Sequence, residues 1–246
     1  LTGYVAGNDD NGGMCGRFVQ ARDPSEYVDA FAARLVAAPL PPSYNVAPTD
    51  PVYAVAGHDG ERLLGTFRWG LIPWWAKDRK IAARNINARV ETVADKATFR
   101  ESFATRRCLI PADGFYEWQV RPKGKLPFYI YASDGGPLAL AGLWASWTDP
   151  ASEERVRSCT IITGRPNAAV ADVHDRMPVV LPPERWAQWL DPGIDDTEQL
   201  LGLLDVYPAD AMARHPVSTL VNTVANNLPE CIAPLTTGAV DQDADG

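Results

Sequence analysis

The chain has 246 residues, 46% hydrophobic and 22% charged, with a formal net charge of -8. That composition is ordinarily globular, with apolar material for a sizeable core. No run approaches the ~18 apolar residues of a membrane span, and the opening LTGYVAGNDDNGG has neither region of a secretory signal, so a cytoplasmic protein is expected. The acidic balance excludes a generally basic, nucleic-acid-coating surface, yet Asp9, Asp10, Asp241, Asp243 and Asp245 stand in the two tails, so a local basic groove remains compatible with the charge.

In chain order, Asp23-Pro24-Ser25-Glu26 reads as a helix start, with Asp23 as N-cap and Glu26 at N3. Tyr27, Phe31 and Leu35 then recur at i, i+4 and i+8, which predicts an amphipathic helix. From residue 52 the pattern turns to strands: VYAVAG, LLGTFRWGLI, RCLIP, GFYEWQV, PFYIYA, LALAGLWASW and SCTIIT, with VRPKGKLP as a hairpin loop. Helices are predicted over 93–104, after Asn167 as N-cap, in PERWAQWL and in DDTEQLLGLLD. Strands with irregularly interspersed helices predict one α+β domain. Residues 236–246, TTGAVDQDADG, read as a disordered acidic tail.

The cysteines Cys15, Cys108, Cys159 and Cys231 are far apart, without C-x-x-C pairs or histidines at zinc-ligand spacing, so neither a metal site nor a disulfide framework is signalled. Cys108 and Cys159, in apolar strand-like runs, read as small buried hydrophobes. Of the three histidines, His58 in GHDG reads as a turn residue and His215 as structural. His174 in VHDRMP fits either a satisfied loop or a catalytic group.

GFYEWQ places Phe115 and Glu117 on one strand face and Tyr116 and Trp118 on the other. Glu117 is then either a surface glutamate or a carboxylate in an aromatic-lined cleft, suited to acid/base work. In NINARVET, Asn85, Asn87 and Arg89 at i, i+2, i+4 face one way in an extended segment, as a donor surface or a polar edge. RWGLIPWWAKDRKIAAR joins Trp69, Trp74 and Trp75 to Lys77, Arg79, Lys80 and Arg84, a mixture that suits single-stranded nucleic acid and equally core tryptophans followed by a solvated loop.

Met14-Cys15-Gly16-Arg17-Phe18 reads like the true start of a protein, with Met removal leaving Cys15 as the amino terminus. An N-terminal cysteine joins a thiol of pKa ~8.5 to an α-amine of pKa ~8. An aldehyde captured by the amine as an imine is then open to the neighbouring thiol, which closes a five-membered thiazolidine at high effective molarity.

Taken together, MCGRF (14–18), YNVAPT (44–49), RWGLIPWW (68–75), NARVET (87–92), GFYEW (114–118), VHDRMPVVL (173–181) and HPVS (215–218) resemble the SOS response-associated peptidase family of abasic-site processing proteins, over about residues 14–235. The resemblance implies a single compact α+β domain with a barrel-like mixed or antiparallel β core, peripheral helices and a groove for single-stranded DNA. It implies covalent capture of the C1′ aldehyde of a ring-opened abasic site in a DNA damage response. Cys15 matches the nucleophile, Asn87 the asparagine that positions it, Glu117 the acid/base and His174 the residue assisting sugar ring opening. Arg17, Asn45, Trp74, Trp75, Arg89, Thr163 and Arg176 match DNA contacts.

An autopeptidase step exposing Cys15, and a lyase activity, are further implications. No metal or organic cofactor and no obligate protein partner is called for, and a monomer is expected. Residues 1–13 would leave Cys15 acylated, so they are read as a leader absent from the working protein. Two other classes fit part of the pattern: a Cys15–His174 hydrolase, and a non-covalent module binding single strands through Trp74 and Trp75.

Overall fold

A computed structural model describes residues 16–235; the leader, Cys15 and the acidic tail lie outside the described residues. The first half contains β1 (Phe18–Gln20), α1 (Pro24–Phe31), β2 (Arg34–Leu35), β3 (Ser43–Val46), β4 (Pro51–His58), β5 (Glu61–Trp69), β6 (Asn87–Arg89) and α2 (Arg100–Thr105). The second contains β7 (Arg107–Ala112), β8 (Gly114–Val120), β9 (Lys125–Ala132), β10 (Leu138–Thr148), β11 (Arg155–Gly164), β12 (Met177–Pro178), α3 (Pro183–Leu190), α4 (Thr197–Gly202) and β13 (Met212–Pro216).

The strand runs read from the sequence form two sheets. β10 pairs antiparallel with β7 and β11, β7 with β4, and β4 with β5. A short parallel pairing of β5 with β11, Arg68 with Ser158 and Trp69 with Cys159, closes these five strands into a ring. β6 adds parallel to β11, β12 antiparallel to it, and β2 parallel to β5. The second sheet is antiparallel in the order β13-β9-β8-β1-β3. The architecture is therefore α+β: one domain with a mixed, barrel-like core and short peripheral helices.

Alternation along the strands sends side chains to two cores. Val52, Ala54, Trp69, Cys108, Ile110, Cys159 and Ile161 pack with Phe18, Phe115 and Ile130 of the second sheet. Tyr53, Val55, Leu64, Leu109 and Ile162 face the opposite way, against residues of α1, α3 and α4. There Phe31 stacks on Trp186, with centroids 4.7 Å apart and an interplanar angle of 11°. Cys108 and Cys159 are buried as expected, and His215 is structural, its Nε2 2.8 Å from the Ile232 carbonyl oxygen.

Several expectations are corrected. Asp23 and Glu26 form the capping box, but the helix ends at Phe31, where Ala32 turns left-handed (φ 46°), and Leu35 lies in β2 rather than two turns further along the helix. The helix predicted over 93–104 is reduced to α2 (Arg100–Thr105); before it the chain runs in separate turns, with the Lys96 amide on the Thr92 carbonyl (3.0 Å) and the Phe99 amide on the Lys96 carbonyl (2.8 Å). Asn167 Oδ1 does accept from the Ala169 amide (3.0 Å), yet only irregular turns follow. The Asp172 carbonyl, which a continuing helix would use, accepts instead from Gln119 Nε2 (2.8 Å). β5 stops at Trp69 because Gly70 adopts φ 116°, and a Cβ there would stand 2.5 Å from the Ala82 carbonyl oxygen.

Candidate active site

Glu117 sits in the middle of β8, paired with Phe128 of β9, and is fully buried at 0% exposure. The strand alternates as its sequence predicts: Phe115 joins the barrel-side core, while Tyr116 and Trp118 join a separate cluster with Val19 and Tyr129. On the other side of β8 runs the start of the described chain. Phe18 pairs with Phe115, and the Tyr116 amide donates to the Arg17 carbonyl (3.0 Å). The antiparallel pairing thus carries Gly16, the sequence neighbour of Cys15, along the flank of the strand that bears Glu117.

His174 approaches from a turn between β11 and β12. Its side chain is 17% exposed, and Nε2 lies 4.0 Å from Glu117 Oε2. That is too long for a direct hydrogen bond, although such contacts often tighten when substrate enters. The Arg176 amide is 3.1 Å from His174 Nδ1. A main-chain N–H only donates, so Nδ1 accepts, and the neutral ring carries its proton on Nε2, the nitrogen facing Glu117.

Two tethers fix the turn. Gln119, two residues past Glu117, holds the Asp172 carbonyl, while Arg214 of β13 grips the Asp172 carboxylate through both oxygens (2.6 and 2.8 Å). Downstream, Arg176 grips Glu91 with a two-pronged fork (2.5 and 2.9 Å) and donates to the Thr163 carbonyl (2.6 Å).

β6 brings the NARVET segment to β11, with Asn87 opposite Ile161 and Arg89 opposite Thr163. Asn87 and Thr163 are buried, whereas Arg89 is exposed. Asn85 falls out of the expected row because it closes the preceding 3-10 turn, its Nδ2 donating to the Leu71 carbonyl (3.0 Å).

Asn45 and Arg17 form a cluster of their own. Asn45 is 3% exposed; Oδ1 accepts from Arg17 Nη1 (2.9 Å), and Nδ2 stands within 3.2 Å of the Val221, Thr223 and Asn226 carbonyls. Burial pulls the Arg17 guanidinium below its ordinary value, partly offset by Asp50. Trp69 is core, but Trp74 and Trp75 are 63% and 46% exposed in the turn after β5. Of the basic residues that follow them, Arg79 pairs with Asp149 (2.7 Å), while Lys77, Lys80 and Arg84 are exposed.

Sequence reasoning passed over Glu91, Gln119, Asp172 and Arg214. Glu91 and Gln119 were visible inside or beside quoted motifs, but only their long-range partners reveal what they hold. Among the described residues no helix is long and apolar enough to cross a membrane, and no three His, Cys, Asp or Glu side chains gather as a metal cluster.

Abasic site processing protein YoqW of Bacillus subtilis is 43% identical over 222 residues, covering 89% of this chain and 99% of that protein. Abasic site processing protein HMCES of Xenopus tropicalis is 36% identical over 224 residues, covering 79% of this chain and 66% of that protein. A solved structure from Bacteroides thetaiotaomicron superposes with a TM-score of 0.83 at 23% identity, covering 90% of this chain and 100% of the other, and shares the fold. A phage-related protein of Bordetella bronchiseptica superposes at 0.63 with 33% identity, covering 82% and 94%. The family model described as SOS response associated peptidase matches residues 14–224, and the chain belongs to that family.

Proposed function

We propose that this chain processes abasic sites by covalent capture in single-stranded DNA, with Cys15 as the amino-terminal nucleophile. The observation that carries the reading is the buried Glu117 carboxylate, 4.0 Å from His174 Nε2 and on the strand that pairs with residues just after Cys15. The names of the relatives, abasic site processing proteins, supply the substrate class.

In this reaction the Cys15 amine adds to the C1′ aldehyde of the ring-opened sugar. Loss of water leaves an imine. The thiol then adds across the C=N bond, forming the C–S bond while its proton passes to nitrogen, and the product is a thiazolidine. Glu117 receives and returns the protons of these additions. His174, with its proton on Nε2, donates toward the sugar oxygen and eases ring opening. Asn87, buried on β6, orients the terminus. An autopeptidase step hydrolyses the bond before Cys15, and the rest of the 14–235 domain, now beginning at Cys15, acts as a monomeric, DNA-associated unit without an organic or metal cofactor.

The proposed DNA surface divides by exposure. Trp74, Trp75 and Arg89 meet the strand directly, through stacking and charge. Asn45 and Thr163 are buried and shape the groove from behind, with Arg17 and Arg176 at its inner edge.

Intact mass spectrometry before and after incubation with a single-stranded oligonucleotide carrying one abasic site tests the reading. A chain beginning at Cys15 that gains the oligonucleotide mass less one water supports it; no mass gain from such a chain refutes it. A Cys15–His174 hydrolase would instead turn over peptide or ester substrates and leave no adduct.

A further inference from the structure

Glu91 has no part in the proposed chemistry, yet it lies at the end of a chain of contacts that leads to the imidazole. Its two oxygens receive Arg176 Nη1 and Nη2, and Nη2 also reaches the Thr163 carbonyl. Arg176 in turn donates its amide to His174 Nδ1. The main chain is anchored upstream by the His174 amide on the Val170 carbonyl (3.0 Å), and downstream by Met177, which pairs with Gly164. Residues 174–176 bridge the gap, and the Arg176 side chain ties that bridge to β11 and to the segment after β6. A bidentate guanidinium–carboxylate fork fixes orientation as well as distance.

A competitor makes that orientation matter. Asp175 Oδ1 stands 3.2 Å from the same His174 Nδ1, on a side chain 89% exposed. If the Arg176 amide moves away, Nδ1 takes the proton to face Asp175. Nε2 then presents a lone pair toward Glu117 and has no proton to donate.

We infer that Glu91 is a positioning residue: by clamping Arg176 it holds His174 in the tautomer with its proton on Nε2. The inference rests on the role proposed above for His174. The test is nitrogen-15 NMR of the imidazoles in the labelled full chain, which has three histidines, with the His174 signals assigned through H174Q. In E91Q the His174 pattern shifts toward the Nδ1-protonated form at neutral pH. The rate of adduct formation at saturating abasic oligonucleotide falls ~10-fold, on the scale of a sub-ångström misplacement, while the Kd for an undamaged single strand stays within about twofold. E91D, which keeps the carboxylate, recovers part of the rate.

An unchanged tautomer in a folded E91Q protein overturns the inference. So does an unchanged rate with tighter DNA binding, because Glu91 would then merely mask a phosphate contact of Arg176. A shifted tautomer with neither E91Q nor H174Q slowing the reaction removes instead the role of His174 and leaves the positioning contact standing.

Discussion

Arg17 Nη1 and Asn45 Oδ1 lie 2.9 Å apart, and both side chains donate to one carbonyl, that of Val221 (2.9 and 3.2 Å). The Asn45 amide also faces the Thr223 and Asn226 carbonyls, so one buried side chain fastens the loop 221–226 to β1 and β3. N45A takes this donor from the Thr223 and Asn226 carbonyls and leaves the Val221 carbonyl to Arg17, and is expected to cost about 1–3 kcal/mol. Urea unfolding should show a lower midpoint at unchanged slope, with faster proteolytic nicking near residues 219–228. An unaltered midpoint would mean that the loop is held by something else.

Trp74 and Trp75 are large, exposed rings. W74A and W75A are each expected to weaken single-strand binding by about 1–3 kcal/mol per stacked base and to change stability by no more than about 0.5 kcal/mol. Because neither change removes a phosphate contact, the salt dependence of the Kd should keep its slope. Fluorescence anisotropy at two salt concentrations reads both quantities, and undiminished affinity in both variants would take the rings out of the interface.

Arg107 is a buried cation surrounded by main-chain oxygens. Nε donates to the Trp189 carbonyl (2.7 Å), Nη1 to those of Phe103 (2.8 Å) and Ala104, and Nη2 to those of Asp191 and Ile194 (2.9 Å). It thereby caps the ends of α2 and α3 together, charge meeting the negative poles of both helices. R107M is expected to cost about 3 kcal/mol through stranded carbonyls, lowering Tm by roughly 6–12 °C for a chain of this size. R107K should recover little, since one ammonium cannot span both helix ends. Calorimetry of the two variants settles the point, and a melt within 2 °C of wild type, a shift of about 0.5–1 kcal/mol, would refute it.

Glu91 gives a pH prediction. The hydrogen bond from Arg176 holds its carboxyl below the ordinary 4.5, against a smaller opposing effect of burial. The folded state therefore binds this proton more weakly than the unfolded chain does. The stabilisation is fully present above pH 4.5 and lost as the pH falls through the lower folded value. Protonated Glu91 resembles glutamine, so the Tm difference between wild type and E91Q should be constant near neutrality and shrink below pH 4.5. A difference that grows on acidification would contradict the pairing.

The sequence displays what is local and hides what is distant. Asp23 and Glu26 announce a helix start because both halves of a capping box lie within four residues. The faces of β8 are legible because alternation has a period of two, which placed Glu117 opposite Tyr116 and Trp118. The helix end was misread because Leu35 fits a helical period and equally fits β2, and only the parallel pairing with Leu64 decides. The Glu117–His174 approach depends on Gln119 reaching Asp172, 53 residues away, and no local pattern carries that information. Asn45 illustrates the same limit: its motif drew attention to the residue, but the three carbonyls around its amide come from a loop about 176–181 positions further along.

The pairing of β1 with β8, and of β9 with β13, has a consequence for biosynthesis. As the chain leaves the ribosome, the strand at 18–20 has only the strand at 43–46 to pair with until the strand at 114–120 is made, and that sheet is completed only by residues 212–216. At about 5–20 residues per second the interval between first and last strand is roughly ten to forty seconds. Until the strand at 114–120 has been made and has paired, the beginning of the chain has no fixed relation to Glu117.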